Sequence, residues 1–410
     1  METLRRRCAG LDVHKDTVVA CARVVSEDGT VRQEVETFST MTSGLLALSD
    51  WLAEREITAV VMEATGVYWK PVWHVLDEDF ELTLANAANV RNVPGRKTDV
   101  NDATWLADLH AHGLIRASFV PPTRVQELRT LLRTRKQLVR EKSQHVQRIQ
   151  KTLEDANLKI ASVLSNIIGV SGRAILKALI AGETDPEKLA DVTQSRRLKS
   201  GRNRIIESLR GNVTKSHRFL LKTHLGMIDA LDAAIAEIDT EVGVALEPFR
   251  HKAELLTTIP GVGTLAAQSI VAEIGIDMSR FPTVGHLISW AGLCPRNDES
   301  AGKRRSTRVR KGAPWLKTVL VQCAWGAARA KDCYPRAQFQ RLKARRGPKK
   351  AILAVAASIL TAAYYILRDD VPYKDLGPDH FERMDKHKAA SRLVRKLHNL
   401  GYQVEIKQAA

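Results

Sequence analysis

Four acidic residues restrict the possible folds of this chain more than any other feature, because two of them end apolar segments. Asp12 closes the run CAGLD and Glu63 directly follows the run AVVM, and both runs have the composition of buried strands. Asp99 and Asp102 lie three residues apart at the start of a helical pattern, so both project from one helix face. A carboxylate beside a buried strand is costly unless a partner compensates its charge.

A divalent cation is the partner that suits all four acids. Hard cations such as Mg²⁺ or Mn²⁺ take oxygen ligands, and metal pairs of this kind serve phosphoryl transfer. Asp99 could also be the N-cap of the helix that Asp102 enters, but this role leaves the strand acids unexplained. Asp16 and Asp108 are interpreted as surface charges. We therefore predict a catalytic metal site formed by Asp12, Glu63, Asp99 and Asp102.

The first 120 residues predict an α/β domain. Strands are predicted at residues 8–13, 17–25, 31–40, 59–64 and 80–86, and helices at 43–54, 68–76 and 101–112. Three strands in a meander, followed by strands that alternate with helices, favour a ribonuclease-H-like mixed sheet with flanking helices. In that arrangement acids that are distant in sequence meet at the strand ends. Tyr68, Trp69 and Trp73 are expected to pack in the core, with stacking on nucleic acid as the alternative.

Beyond Pro121-Pro122 the pattern becomes helical. Apolar residues at three- and four-residue spacing predict long helices over Val125–Leu153 and His217–Val244, and Arg135 and Lys142 occupy two seam positions of the first. We expect a coiled-coil-like region, in which the two helices pair as an antiparallel arm or dimerise. The predicted domains are residues 1–120, 121–252, 253–375 and a basic tail at 376–410.

The turn Pro260-Gly261-Val262-Gly263 separates two short helical patterns in the C-terminal domain, which is predicted to be mainly α-helical. Gly261 and Gly263 allow a tight turn that exposes backbone N–H groups at a helix start. This pattern is typical of a helix-hairpin-helix, which binds nucleic-acid phosphates without reading bases. An ordinary turn between helices is the alternative.

The charge of the chain restricts its partners. Lys and Arg number 63 against 46 Asp and Glu, and the net charge of +17 favours a nucleic acid over an acidic membrane surface or a merely solubilising surface. No cysteines form a C-x-x-C pair, so zinc is not suggested, and their odd count fits a reducing cytoplasm. The N-terminus lacks the apolar core of a signal peptide. The apolar stretch Ala351–Leu367 is expected to be a buried helix rather than a membrane span.

A basic, glycine-containing segment runs from Gly292 to Trp315. Its cations follow Ser300 and are Lys303, Arg304, Arg305, Arg308, Arg310 and Lys311. Dense positive charge neutralises a phosphate and stabilises its transition state, so the segment predicts a phosphate-binding loop. A serine hydroxyl is a weak nucleophile until a base or metal activates it, and the residues alone do not assign that role to Ser300.

The motifs together resemble a known family. GLDVHKD, MEATGVYW and GRKTDVNDA, followed by PGVG, WAGLCP and SAGKRRSTRVRKG, are similar in order and spacing to the DEDD transposases of bacterial insertion sequences, the bridge-RNA-guided serine recombinases. The resemblance covers residues 8–155 and 253–370. It implies a RuvC-like fold for the first domain, a separate C-terminal transposase domain, and metal binding by the four acids.

The resemblance also implies that Ser300 is the reactive serine. Glu299 stands where many relatives have a second serine, which leaves Ser300 as the candidate before Gly302, with Ser306 as a weaker alternative. The implied partners are donor and target DNA, a structured noncoding guide RNA, and further subunits in a dimer or tetramer, without a membrane. Two other functions stay open, a metal-dependent nuclease of Holliday junctions with no covalent step and a non-catalytic nucleic-acid binder.

Overall fold

The computed structural model describes residues 3–64, 66–87, 90, 101–193, 201–295, 298–306, 308–384 and 386–404. The predicted metal ligand Asp99 lies outside these residues. Two compact units divide the chain, Met1–Val120 and Pro121–Ala410, and each is described by itself. The finer boundaries near residues 252 and 375 stay predictions.

The N-terminal unit is built on a mixed sheet with flanking helices, as predicted. The strands are β1 (Arg7–Val13), β2 (Thr17–Val25), β3 (Val31–Ser39), β4 (Ala59–Glu63) and β5 (Glu81–Ala85), and the helices are α1 (Thr42–Glu54), α2 (Trp69–Leu76) and α3 (Asp102–Ala111). The strand order is β3-β2-β1-β4-β5. The first three strands are antiparallel neighbours, and β4 is parallel to both β1 and β5.

One face of this sheet carries the main hydrophobic core of the unit. Leu11, Val60 and Met62 lie in a buried cluster with apolar residues of α1 and α2. Trp73 belongs to this cluster and is 9% exposed, and its ring meets Trp69 edge-on at 5.8 Å. The predicted core packing is therefore confirmed for Trp73, and Trp69 is partly buried against the same cluster. For Tyr68, which is 41% exposed, the prediction is wrong.

The C-terminal unit is mostly helical in the residues described. Its helices are α4 (Thr123–Asp155), α5 (Val170–Ala181), α6 (Pro186–Asp191), α7 (Arg202–Ser208), α8 (Lys215–Ala245), α9 (Arg250–Thr257), α10 (Thr264–Ile274), α11 (Val284–Trp290), α12 (Pro314–Ala327), α13 (Tyr334–Arg346), α14 (Pro348–Asp369), α15 (His380–Met384) and α16 (Lys386–Asn399). Two short strands, β6 (Asp298–Ser300) and β7 (Lys303–Ser306), form a separate sheet.

The long helices α4 and α8 pack against each other in antiparallel directions. Arg135 pairs with Asp239, and one heptad further along α4, Lys142 pairs with Asp232. The two cations predicted at seam positions therefore face acids of the partner helix, which explains why charged residues interrupt an apolar seam. The antiparallel pairing within one chain is one of the two predicted arrangements, and a coiled coil between subunits stays a prediction.

Helix α14 contains the long apolar stretch of the sequence. By length and composition it could cross a membrane, but 56% of its apolar window is buried inside the structure. Its buried residues include Ile352, Val355, Ile359 and Leu360. This burial agrees with the prediction of a core helix.

Candidate active site

The C-terminal ends of β1 and β4 bring two of the predicted acids side by side. The two strands are parallel and pair Leu11 with Met62. Asp12 and Glu63 are the next residues along their strands, so they lie at the same level of the sheet and on the same face. The register of two buried strands thus places two carboxylates together although about fifty residues separate them in sequence.

Helix α3 covers that same face and carries the third acid at its start. A Cβ atom at Gly10 would lie 2.2 Å from the carbonyl oxygen of Ala103, so β1 approaches α3 this closely only because residue 10 is glycine. Asp102 is the first residue of α3, and the Asn101 side chain before it accepts a hydrogen bond from the Ala103 N–H. Asn101 is therefore the N-cap, the role that the sequence suggested for Asp99. The positive end of the helix dipole favours the Asp102 carboxylate.

These acids are suitable donors for a hard cation. The Asp12 side chain is 20% exposed, and its Oδ2 lies 3.2 Å from His14 Nε2. Carboxylates on one face at the end of neighbouring strands repel each other unless a positive charge lies between them, a charge that a divalent cation with oxygen ligands would supply. Within the described ranges, no group of three or more His, Cys, Asp or Glu residues stands arranged to hold a metal ion. The fourth acid of the predicted set, Asp99, is outside those ranges.

An ion pair that the sequence did not predict fixes α3 to the sheet. The Asp108 carboxylate accepts hydrogen bonds from Arg23 Nε and Gln33 Nε2, each at 2.9 Å. Arg23 is only 4% exposed, whereas the Asp108 side chain is 36% exposed, so Asp108 is the partly exposed member of a pair with a buried arginine. Its interpretation as a surface charge left out this partner. The available signal was a single arginine within the apolar strand TVVACARVV. Because α3 carries Asp102, this pair helps to hold the third acid at the sheet.

The basic segment of the C-terminal unit contains a β-hairpin, which the sequence did not predict. Strands β6 and β7 are antiparallel, with Ser300 opposite Lys303. The connecting residues Ala301 and Gly302 have positive φ angles of 49° and 73°, the feature of a two-residue type I′ turn. Ala301, Gly302 and Lys303 are exposed, so Ser300 lies next to the accessible tip of the hairpin.

The predicted phosphate-binding cations are distributed along this hairpin and the segment that follows it. Arg304 and Arg305 lie in β7. Arg308, Arg310 and Lys311 are exposed. Their positive charges follow Ser300 within about eleven residues, so a phosphate near the hairpin would meet a concentrated positive field.

Two glycines and a lysine close the base of the segment, which we call the neck (residues 292–294 and 309–312). A Cβ atom at Gly312 would lie 2.4 Å from the Gly292 backbone nitrogen, so the two sides of the neck touch through their backbones. Lys317, from the first turns of α12, donates hydrogen bonds to the carbonyl oxygens of Gly292 at 3.3 Å and Arg310 at 2.7 Å. Burial lowers the pKa of Lys317. Lys317 therefore joins both sides of the neck to α12.

The Pro260–Gly263 turn connects α9 to α10. Gly261 has a φ angle of 85°, and a Cβ atom there would lie 2.4 Å from the Cys323 carbonyl oxygen and the Ala327 nitrogen of α12. Close packing against α12 thus requires glycine at residue 261. Gly263 is the exposed N-cap residue of α10. The helix-hairpin-helix function and phosphate binding by these glycines stay predictions.

Comparison with known proteins adds to this geometry. A family model of DEDD transposases from IS110 elements, described as "Transposase", matches residues 9–158, and the model "Transposase IS116/IS110/IS902 family" matches residues 253–340. The chain belongs to the IS110 family of transposases. The first match contains the three described acids, and the second contains the Pro260–Gly263 turn, Ser300 and the basic segment.

Several curated proteins are similar to this IS110-family chain. The pilin gene-inverting protein of Moraxella bovis is 31% identical over 131 residues, which cover 30% of this chain and 39% of that protein. An uncharacterised protein of the IS110 insertion element from Streptomyces coelicolor is 31% identical over 126 residues, 30% of this chain and 31% of the relative. The transposase for insertion sequence element IS1111A of Coxiella burnetii is 24% identical over 312 residues, 74% of this chain and 76% of the relative. The matched part of the first two relatives is thus well under half of their length.

Proposed function

We propose that this IS110-family chain is a DNA transposase that cuts and rejoins DNA through a covalent phosphoserine. The observation that carries the proposal is the register that sets Asp12 beside Glu63 on the sheet face covered by α3. Nothing in the packing of a stable sheet needs two carboxylates at this place, whereas phosphoryl transfer does. The pilin gene-inverting relative is named for an inversion, an outcome that requires strands to be cut and rejoined.

The four acids Asp12, Glu63, Asp99 and Asp102 would hold Mg²⁺ or Mn²⁺. When bound, such an ion supplies Lewis-acid polarisation of a phosphate oxygen and lowers the pKa of a coordinated hydroxyl. Asp12 and Glu63 fix the position of the ligand atoms because they end buried strands. Asp102 adds a carboxylate from the first residue of a helix.

Ser300 is the proposed nucleophile. Its Oγ forms a bond to the phosphorus of the scissile phosphodiester, and the bond from phosphorus to one deoxyribose oxygen breaks. The serine proton passes to a carboxylate, and the leaving oxygen takes up a proton. The exposed cations Arg308, Arg310 and Lys311, together with Lys303, Arg304 and Arg305, would neutralise the pentacovalent transition state. The phosphoserine conserves the energy of the broken bond, so rejoining needs no ATP.

The proposed partners are nucleic acids and further copies of the chain. The net charge of +17 suits donor and target DNA and a structured noncoding guide RNA. Base pairing with the RNA would choose the sequence, while the protein contacts shape and backbone. A homo-oligomer in the cytoplasm completes the proposal.

A covalent intermediate is the direct test. We expect a protein–DNA adduct on a nicked trap substrate with the unmodified chain and none with Ser300→Ala, while Ser306→Ala retains it. Cleavage that persists in Ser300→Ala, depends on the acids and leaves no adduct would establish the junction nuclease instead. Recombination in cells that is unaffected by Asp102→Ala would establish a non-catalytic binder.

The RNA partner has a separate test. Sequencing of RNA that co-purifies with the chain is expected to give one discrete species that maps beside its own gene. A random collection of cellular RNA would contradict guidance without affecting the adduct test. Nucleic-acid binding is also expected to weaken steeply as salt concentration rises, because Lys and Arg contacts release counterions.

A further inference from the structure

The indole ring of Trp315 is surrounded by three cations from another helix. Trp315 lies in the first turn of α12, three residues after the neck ends at Gly312. The Arg133 guanidinium carbon and the Lys136 ammonium nitrogen each lie 5.4 Å from the ring centroid, and the Arg140 guanidinium carbon lies 5.5 Å from it. All three cations belong to α4, at the spacing of one helix face. We call these four residues the tryptophan cluster.

An ion pair with a buried acid continues the tryptophan cluster into α10. Arg133 donates two hydrogen bonds of 2.8 Å to the Glu273 carboxylate, whose side chain is 6% exposed. Arg129, one turn earlier in α4, donates to the Ala272 and Glu273 carbonyl oxygens at 2.9 and 2.8 Å. These carbonyls end α10, where a cation is favoured by the helix dipole. Helix α4 is thus fixed to both α10 and α12.

The charges of this region explain why an aromatic ring is needed. Arg129, Arg133, Lys136 and Arg140 carry four positive charges, and Glu273 carries the negative charge that faces them. The Lys136 ammonium is buried and has no hydrogen-bond partner among the described residues. Burial and the neighbouring Arg140 lower the pKa of Lys136. The negative face of the indole stabilises these cations, most of all the Lys136 ammonium, which is shielded from water.

The first two turns of α12 therefore make contacts in two directions. Trp315 contacts α4, and Lys317, two residues later, holds both sides of the neck. The neck leads directly to the hairpin that carries Ser300. A displacement of α4 relative to α12 would be transmitted to the neck through a path of two residues in one helix.

We propose that Trp315 is a positioning residue, which couples the α4–α8 arm to the hairpin and so fixes where Ser300 is presented. This inference rests on the proposed function for its activity readout, but the coupling itself is a property of the folded chain. Trp315 touches no reacting atom in this proposal. It acts through Lys317 and the neck.

The test compares Trp315→Leu and Trp315→Phe in the full chain. Leucine keeps an apolar side chain but removes the ring, whereas phenylalanine keeps a ring face. Trp325→Leu is the matched control, because Trp325 lies in the same helix and packs on Phe339, at 5.7 Å between ring centroids. Hydrogen exchange of neck amides, measured without nucleic acid, is expected to be about tenfold faster in Trp315→Leu, with α8 amides unchanged. Trp315→Phe should restore most of the protection.

Adduct formation gives the second readout. Trp315→Leu is expected to lower the rate of adduct formation about tenfold while the Kd for DNA changes by less than twofold. Neck exchange and adduct rates equal to those of Trp325→Leu would overturn the proposal. If the unmodified chain forms no adduct, the proposed function fails, and the exchange measurement still decides whether the coupling exists.

An exposed variant keeps the proposal falsifiable if Trp315→Leu does not fold. Arg140→Gln removes one of the three cations from an exposed position, and Arg124→Gln removes the same charge from the exposed first turn of α4. We expect neck exchange to rise about threefold in Arg140→Gln alone. Equal behaviour of the two variants would contradict the coupling.

Discussion

The acid site and the serine hairpin are held in place by different physical means. Asp12 and Glu63 end parallel strands whose backbones are hydrogen-bonded and whose side chains are buried on both faces. Ser300 ends a three-residue strand on an exposed hairpin, which is joined to the rest of its unit through a narrow neck. The first arrangement is rigid because many buried contacts determine it. The second depends on a few specific contacts, so it can be moved at a lower energetic cost.

The largest expected effect concerns the acids themselves. Asp12→Asn or Asp102→Asn should reduce DNA cleavage by about 10³-fold. The loss of a carboxylate weakens metal binding and removes several kcal/mol of transition-state stabilisation. Single-turnover cleavage at saturating Mg²⁺ measures this. Asp16→Asn, an exposed acid after the same strand, is the control and should retain activity. Full activity of Asp12→Asn would show that Asp12 is not part of a catalytic site.

Acid pH should weaken the acid-bearing unit selectively. Burial lowers the pKa of His110 in α3 to about 4, with Arg5 adding to the effect and Glu81 opposing it. The unfolded chain binds a proton at His110 near pH 6.5 and the folded chain does so only near pH 4, so stability falls as pH decreases between these values, by about 3 kcal/mol. Urea unfolding at a series of pH values, monitored by hydrogen exchange in α3, measures this loss of stability.

His110→Leu should remove most of that pH dependence between pH 6.5 and 4. His74→Gln, an exposed histidine of the same unit, should leave it unchanged. A pH profile that His110→Leu does not alter would show that α3 is not the sensitive element. Protection of the neck in the other unit should not follow the His110 titration.

Close packing at the acid site should tolerate no added methyl group. Gly10→Ala would place a Cβ atom 2.2 Å from the Ala103 backbone and should destabilise the N-terminal unit by about 2 kcal/mol. Gly226→Ala is the opposite case, because nothing lies within 4 Å of the added Cβ in the middle of α8. It should stabilise its helix by about 0.8 kcal/mol. Thermal unfolding of the two variants checks both signs.

A small effect is also expected at the hairpin turn. Ala301→Gly should stabilise the hairpin by about 1 kcal/mol, because residue 301 has a φ angle of 49° that a Cβ atom disfavours. Gly302→Ala, at 73°, should destabilise it by a similar amount. Hydrogen exchange of residues 298–306 measures both. Equal protection in the two variants would show that turn geometry does not set the hairpin.

The positions of Asp12 and Glu63 were easier to predict from the sequence than the serine hairpin, for a physical reason. Apolar runs that are separated by turn residues locate the strands. The helix predicted at 101–112 agrees with α3 together with its two cap residues. Parallel register then follows from the fold class, so Asp12 and Glu63 could be paired in advance. The close distance between Gly10 and α3 could not be predicted in this way, because a glycine in a strand can be there for several structural reasons.

The hairpin and its attachment were not predictable in the same way. Strand β7 is a run of cations and serine with no apolar alternation, so no periodic signal marks it. Arg133 and Lys136 had the pattern of a solvated helix face, and Glu273 is one acid in an otherwise apolar helix. The contacts among these residues and Trp315 depend on how α4, α10 and α12 pack, and local sequence does not determine that packing.

The two ion pairs between α4 and α8 also have a kinetic consequence. Arg135 and Lys142 are seven residues apart, and so are their partners Asp239 and Asp232. Sliding one helix by a heptad would leave the apolar seam nearly unchanged but would leave one cation and one acid without their partners. It would also shift the end of that helix by about 10 Å. During folding, the charged pairs thus destabilise a pairing of α4 and α8 that is shifted by a heptad. Apolar packing alone would tolerate that shifted pairing, in which the arm has a different length.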